Sequence, residues 1–481
     1  MSSTNGKQLV RGLTLLAAIM IVAGSMIGSG IFRKPATMAG QLGSPELLII
    51  VWIVAGLITL IGALVNAEIA GMIDATGGQY VYFQKMYGNF TAYIYGWSIL
   101  AVIQTGSQAA IAYVFAEYLQ PFLQVPGLSD SIAGFKVYMP AVGWIQPFAD
   151  FGTKSIAIVC LLFITGINYI GVVFGGTVNS IITIIKIGTI ILLSILIFMV
   201  GSGSSANLYS GFTVNPGGDM GLITAIGLAM GGAFWAYDGW NNVTFVAGEV
   251  KEPQRNVPKA LFLGTVIVIA VYVIINLAFL YILPFEELKN SPLVAKSAIE
   301  KIFGNMGGTI VSIAVIISAF GALNSSILAT ARVQFAMARS GMFFHSLGKI
   351  HPKFATPHIS LVVQGVWSAV LVLTGSFDTI SDYVIFAAWL FYMLGAAGVF
   401  ILRKKMPDTP RPYKVWGYPY TPILFVAFSL LYLINSIISD TQNAMMGVIL
   451  IAGGLPIYFY TEYRNKKLRE QGKIPEKDEN N

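Results

Sequence analysis

Apolar runs of about 20 residues, each long enough to cross a bilayer as a helix, recur almost without pause from residue 13 to residue 461. A chain built this way has few folds open to it. In hydrocarbon every main-chain N–H and C=O must be paired inside the protein, and a helix does so within one segment. Composition agrees: 56% of the 481 residues are hydrophobic and 11% are charged, against about 25% charged in soluble domains. We read an all-α membrane protein with one transmembrane domain.

Twelve spans are expected, at about 13–36, 46–73, 90–120, 153–172, 178–200, 220–248, 257–283, 305–337, 358–375, 380–402, 419–438 and 443–461. The domain thus covers residues 13–461, between a tail of residues 1–12 and a charged tail of residues 462–481. Lys7, Arg11 and the apolar run after them resemble a secretory signal. The run resumes through Ile31 and Phe32, so we read an uncleaved first span. An even number of spans puts both termini on one side. With that side cytoplasmic, 21 of the 29 Lys and Arg are cytoplasmic, seven lie outside and Lys186 lies within a span. This satisfies the positive-inside rule and suits a multi-pass protein of the cell inner (plasma) membrane. Arg33 and Lys34 go against the trend and give the outer mouth of span one a basic charge. Residues 77–88 and 339–354 mix aromatic and basic side chains, as short interfacial helices or ordinary loops do.

Several function classes fall away. The net charge of +7 comes from loops and a tail on one side, which is no nucleic-acid signal. The single cysteine, Cys160, lies in an apolar run; it allows no intrachain disulfide and no zinc cluster. His345, His351 and His358 share one loop without ligand spacing. No metal, cofactor or nucleic-acid partner is expected. An enzyme would need a nucleophile–base or metal constellation at membrane depth, and a channel would need repeated polar positions; the spans show neither.

Two spans break the apolar pattern. Span one holds Gly24-Ser-Met-Ile-Gly-Ser-Gly-Ile-Phe32. Span six holds Gly231-Gly-Ala-Phe-Trp-Ala-Tyr-Asp-Gly-Trp-Asn-Asn242. Interrupted segments at matching positions in two halves point to an inverted-repeat transporter with a midplane site. The halves are then about 13–200 and 220–402, with two helices over about 419–461 appended. Unwinding a helix in lipid leaves polar groups that cost several kcal/mol each if unpaired, so something else has to pair them. A half-helix beginning near Ser29, Gly30 and Ile31 offers N–H groups and a positive dipole end to a carboxylate. Half-helices ending near Ser25–Met26 and Trp235–Ala236 offer carbonyls to an ammonium. A ligand carrying both charges close together is an α-amino acid. Close packing of small residues is the alternative use of such glycines.

These two motifs, the stretch AGEVKEPQRNVPKA after the second, and SAFGALNSSILATARVQFAMARSG at 318–341 resemble the amino acid–polyamine–organocation superfamily. The likeness is strongest to its L-type amino acid transporter branch, with its bacterial serine/threonine and alanine/serine/cysteine exchangers, and covers nearly the whole chain. It implies a LeuT-like fold of five-plus-five inverted repeats, with helices one and six unwound and two helices added. It implies a substrate site over Ser25, Met26, Ile27, Gly28, Ser29 and Gly30, with carboxylate recognition at Gly28, Ser29 and Gly30. Carbonyls of Ser25, Met26, Trp235 and Ala236, together with Asp238, would meet the amine, and Trp235 would act as an aromatic gate. Animal members are held to a partner glycoprotein by a cysteine between spans three and four. Residues 121–152 contain none, so no disulfide-linked heavy chain is expected.

Lys186 stands among apolar residues in span five, where a lysine costs about 2.5–3.5 kcal/mol on insertion scales and is by default a functional candidate. The resemblance places it where sodium-coupled relatives hold sodium against spans one and eight. Its ammonium would replace that ion, bonding carbonyls near Gly24–Ser25 and the hydroxyl of Ser318, and would make exchange sodium-independent. The alternatives are a side chain snorkelling to the interface or a group that releases a proton. Asp238 reads as a cap for the following half-helix or as a partner of the substrate amine. Glu68 reads as inner and structural, Glu117 as solvated; Gln104 and Gln108 stay open. The expected function is exchange of neutral L-amino acids. The rivals are a proton-coupled symporter of the same fold and a cationic amino acid or polyamine antiporter.

Overall fold

The computed structural model describes residues 12–73, 77–171, 176–200, 203–211, 216–217, 221–339, 341–354 and 356–471. Eighteen α-helices and one short hairpin are found among them. The first helices are α1 (Leu15–Met26), α2 (Gly30–Leu42), α3 (Pro45–Met72), α4 (Gln79–Tyr87), α5 (Asn89–Ser98) and α6 (Gln104–Leu123), with a π-turn over Ile99–Ile103 joining the last two. A loop holding α7 (Asp130–Ala133), β1 (Val137–Met139) and β2 (Gly143–Ile145) leads to α8 (Phe151–Tyr169) and α9 (Gly176–Val200). The second half holds α10 (Leu222–Tyr237), a 3-10 segment (Trp240–Glu249), α11 (Pro253–Ile282), α12 (Phe285–Lys289), α13 (Val294–Arg339), α14 (His358–Val372) and α15 (Phe377–Lys405). Helices α16 (Tyr420–Ser439), α17 (Thr441–Ala452) and α18 (Gly454–Glu470) close the chain.

Local chemistry sets many of these boundaries. Thr14, Ser44 and Ser376 cap α1, α3 and α15 by accepting main-chain N–H bonds, and Pro45 starts α3 where its missing N–H costs nothing. Among the described residues, nine helices are long and apolar enough to span a membrane, or ten if α1 and α2, bent by 42° at their break, form one span. The sequence reading of twelve also counts α10 and α14. These have 16 and 15 residues, about 22–24 Å at 1.5 Å per residue, short of the roughly 30 Å hydrocarbon core.

Two groups of helices frame the centre. Helices α1, α2, α3, α10 and α11 pack on one another; α6, α8, α13 and α14 form the other group, and α15 packs on α6 and α10. In the second group the glue is polar, as expected where lipid gives no hydrophobic drive. Asn168 Nδ2 donates to Asn324 Oδ1 at 2.8 Å, Ser368 Oγ to Gln108 Oε1 at 2.9 Å, and Gln364 Nε2 to the Ile327 carbonyl at 2.6 Å. Gln108 is therefore a scaffold residue. Residues 79–87 form a helix whose Tyr80, Tyr82, Phe83 and Met86 are buried in the bundle, so it is neither a surface helix nor a loop. Residues 345–348 make one 3-10 turn. Cys160 is buried in α8.

Candidate functional site

Helix α1 stops at Met26 and α2 starts at Gly30, leaving Ile27, Gly28 and Ser29 as bends. The second break follows Tyr237: Asp238 is extended, and Gly239 takes φ +93°, a conformation that strains any residue with a Cβ. The breaks touch. A Cβ at Gly30 would lie 2.6 Å from Ala236 Cα, and one at Gly239 would lie 2.9 Å from the Ser25 carbonyl oxygen. Glycine at both positions lets two main chains meet where a side chain would hold them apart.

The unpaired groups lie where the chain is bent. Among the described residues no acceptor takes the main-chain N–H of Ser29, Gly30 or Ile31, while Ile27 N–H bonds the Ala23 carbonyl. Ser29 Oγ is buried without a partner. Carbonyls stand at the ends of α1 and α10. The Met26 carbonyl lies 2.7 Å and that of Ala236 2.9 Å from Tyr272 Oη. A phenol has one proton, so it serves one of them at a time. The Ile27 carbonyl receives the Lys186 ammonium at 3.4 Å. Lys186 is buried at 8% exposure; its ammonium reaches the break rather than the membrane surface. Ser318 Oγ is buried without a partner.

A cavity of about 410 Å³ lies against the two breaks. Ser25, Met26, Gly28, Ser29, Gly30, Trp235, Asp238 and Lys186 line it, together with Gln104 and Ser107 of α6, Ser326 of α13, and Asn242 and Phe245 after the second break. It continues to Leu13, Glu249 and Arg332, where Arg332 is 55% exposed. We call this the near end. The cavity therefore has both a deep floor at the breaks and a route to solvent.

The sequence profile of the family described as amino acid permease matches residues 13–455. The serine/threonine exchanger SteT of Bacillus subtilis (strain 168) is 32% identical over 460 residues, covering 95% of this chain and 98% of that protein. The large neutral amino acids transporter small subunit 2 of Homo sapiens is 32% identical over 471 residues, 97% of this chain and 83% of the relative. The b(0,+)-type amino acid transporter 1 of Homo sapiens is 30% identical, covering 94% and 88%. The chain belongs to the amino acid permease family. It is a multi-pass membrane transporter, not an enzyme.

At the far end of the permease the cavity is shut. The Trp235 ring stands edge-on to Phe377 at 5.7 Å. Above it Lys34, 1% exposed, donates to Asp378 at 2.9 Å and Asp382 at 3.1 Å. Arg33 pairs with Glu117 and with Asp378, each at 3.3 Å. The basic mouth read from Arg33 and Lys34 is thus neutralised. Glu117, expected to be solvated, is 18% exposed and ion-paired, because α2 brings Arg33 against α6.

Other residues also differ from the reading of the sequence. Tyr392 Oη donates to Asp238 Oδ1 at 2.6 Å, so a tyrosine of α15 holds this carboxylate at the cavity wall. Tyr237 turns away, donating to the Trp52 carbonyl, and Trp240 packs on Tyr392, while Trp235 lines the cavity. Glu68 takes both Arg403 donors, at 2.9 and 2.8 Å, and the Val415 N–H at 2.7 Å. Tyr272, Tyr392 and Asn242 were not singled out by sequence. A lone tyrosine in an apolar run gives no sign of which carbonyl it meets. Among the described residues no group of three or more His, Cys, Asp or Glu could hold a metal.

Proposed function

We propose that this permease exchanges neutral L-amino acids across the cell inner membrane by alternating access, without sodium. One observation carries the reading: unpaired main-chain N–H groups at Ser29 and Gly30 and the helix ends at Ser25–Met26 and Trp235 border one cavity. The substrate carboxylate takes the N–H groups of Ser29 and Gly30, beside Gly28. Its ammonium takes carbonyls among Ser25, Met26, Trp235 and Ala236, or Asp238. The relatives named as amino acid exchangers and transporters support the substrate class.

Lys186 stands in this reading as a fixed cation on the Ile27 carbonyl, with Ser318 as its second partner once the mouth closes. The structure then corresponds to an inward-open state, with its far end sealed and its near end reached from the cytoplasm. In this reading the near end is cytoplasmic and both termini lie on that side, as the positive-inside count suggests. The twelve-span, five-plus-five arrangement is supported by two breaks in matching places that touch one another. Cys160, the only cysteine, lies within α8, so we propose that no disulfide-linked heavy chain is required. Bound substrate drives closure only through affinity that differs between open and closed states.

Counterflow in liposomes tests the reading. Vesicles loaded in turn with alanine, serine or leucine should accumulate labelled neutral amino acid, equally with and without sodium, and lysine-loaded vesicles should not. Failure of every neutral amino acid to exchange overturns the reading. A sodium requirement removes the fixed-cation role, and accumulation driven by a pH gradient alone converts the exchanger into a proton symporter.

A further inference from the structure

The loop between α6 and α8 has a composition unsuited to open water. From residue 131 to residue 149 its one charged side chain is Lys136. Yet Tyr138 and Trp144 are 59% and 61% exposed on the protein, with Phe135 and Val137 beside them. These residues sit on a built element. Strands β1 and β2 pair antiparallel with Tyr138 opposite Trp144, and the two rings meet edge-on at 5.2 Å. On the hairpin's other face Ile145 turns inward while its cross-strand partner Val137 stays exposed, and Val142 of the turn is also buried. A two-stranded hairpin is marginal alone, so this inward anchoring fixes which way the aromatic face looks.

That face is continuous with the membrane-facing surface. Phe122 and Leu123, the last turn of α6, are exposed on one side of the loop. On the other side Phe135, Phe148 and Phe151 form a ladder with ring separations of 5.9 and 6.1 Å. The ladder ends at the first residue of α8, a spanning helix that exposes Val159 and Phe163 farther along. Tyr and Trp are the residues that gather where a bilayer meets water, with ring bodies among lipid and polar atoms toward solvent. The hairpin's mixture of exposed rings and a single cation fits that layer and no aqueous surface of this size.

We propose that the outward face of the β1–β2 hairpin docks on the lipid interface at the far end of the permease, with Tyr138 and Trp144 seated at headgroup level. The loop is then an anchor that ties the ends of α6 and α8 to the bilayer surface. The occupant is phospholipid, not a second protein.

The single buried cysteine makes a direct test practical. In a Cys160→Ser background, cysteine is placed at position 138 (Tyr138→Cys), at 144 (Trp144→Cys) or, as a solvent reference on α12, at 286 (Glu286→Cys), and labelled with an environment-sensitive fluorophore. The proteins are reconstituted in phosphatidylcholine–phosphatidylglycerol vesicles. A phospholipid nitroxide near the headgroup should quench sites 138 and 144 roughly fivefold more than site 286, with iodide on both sides showing the reverse order. Iodide quenching at 138 and 144 equal to that at 286 overturns the proposal. Protection from both quenchers overturns it in favour of a protein partner or a second copy. If a variant does not fold, hydroxyl-radical footprinting of the unsubstituted chain in the same vesicles decides the point. Little oxidation of Trp144 is expected, and full oxidation refutes lipid contact.

Discussion

The two ends of this permease are held by different kinds of bond. At the far end, α2, α6 and α15 meet through side-chain charges: Arg33 and Lys34 against Glu117, Asp378 and Asp382. At the near end the start of α1 is joined to the chain after the second break by main-chain bonds. Leu13 N–H donates to the Glu249 carbonyl and Lys251 N–H to the Leu13 carbonyl, both at 2.9 Å. The charge pair there, Arg332 with Glu249, is long at 3.9 Å and half-exposed. Ion pairs of this kind can form and separate in each cycle as water comes and goes. Main-chain pairs fix what must travel together. In the proposed cycle the sealed end is thus the one to be undone, and the open end keeps its moving pieces joined.

The largest effect should come from the pivot between the ends. Gly30→Ala places a Cβ against Ala236 Cα and should lower counterflow by roughly 10²-fold, as misplacements of about 1 Å do at preorganised sites. Near-normal exchange would mean that the breaks do not have to touch.

Lys34→Ala comes next. Removing one partner of a buried charge pair costs about 2–5 kcal/mol, here toward the lower figure, because Asp378 and Asp382 retain 27% and 34% exposure. The loss falls on the sealed state. A cysteine placed at position 107 (Ser107→Cys, with Cys160→Ser) should then react faster with an impermeant thiol reagent applied from the far side. Unchanged reactivity would show that the charges do not hold that end shut.

A smaller change is expected for Glu68→Gln, which weakens the bonds to Arg403 and Val415 N–H. We expect about 1–3 kcal/mol of lost stability, read as a lower unfolding temperature in detergent with the substrate preference unchanged. The smallest belongs to Arg332→Ala. A half-exposed pair contributes about 0–1 kcal/mol, so the KM for exchange should move by less than about fivefold. A larger shift would place that pair among the closing contacts of the near end.

What the sequence made legible follows from physics that acts along the chain. Apolar runs announce spans, and glycine with polar residues at membrane depth announces a break, so residues 24–30 and 231–242 stood out before any contact was known. What stayed hidden depends on contacts between distant segments. Glu117 looks solvated until Arg33, 84 residues earlier in the chain, lies against it. Tyr272 looks like any aromatic in an apolar helix until its hydroxyl is found between the Met26 and Ala236 carbonyls.

The pairing of Leu13 with residues 249–251 has an evolutionary corollary. It uses amide and carbonyl atoms alone, so exchanging one side chain for another at those positions, proline apart, leaves both bonds available. Lineages can therefore rewrite the residues ringing the entrance while the two leaves of that door stay stitched along one seam.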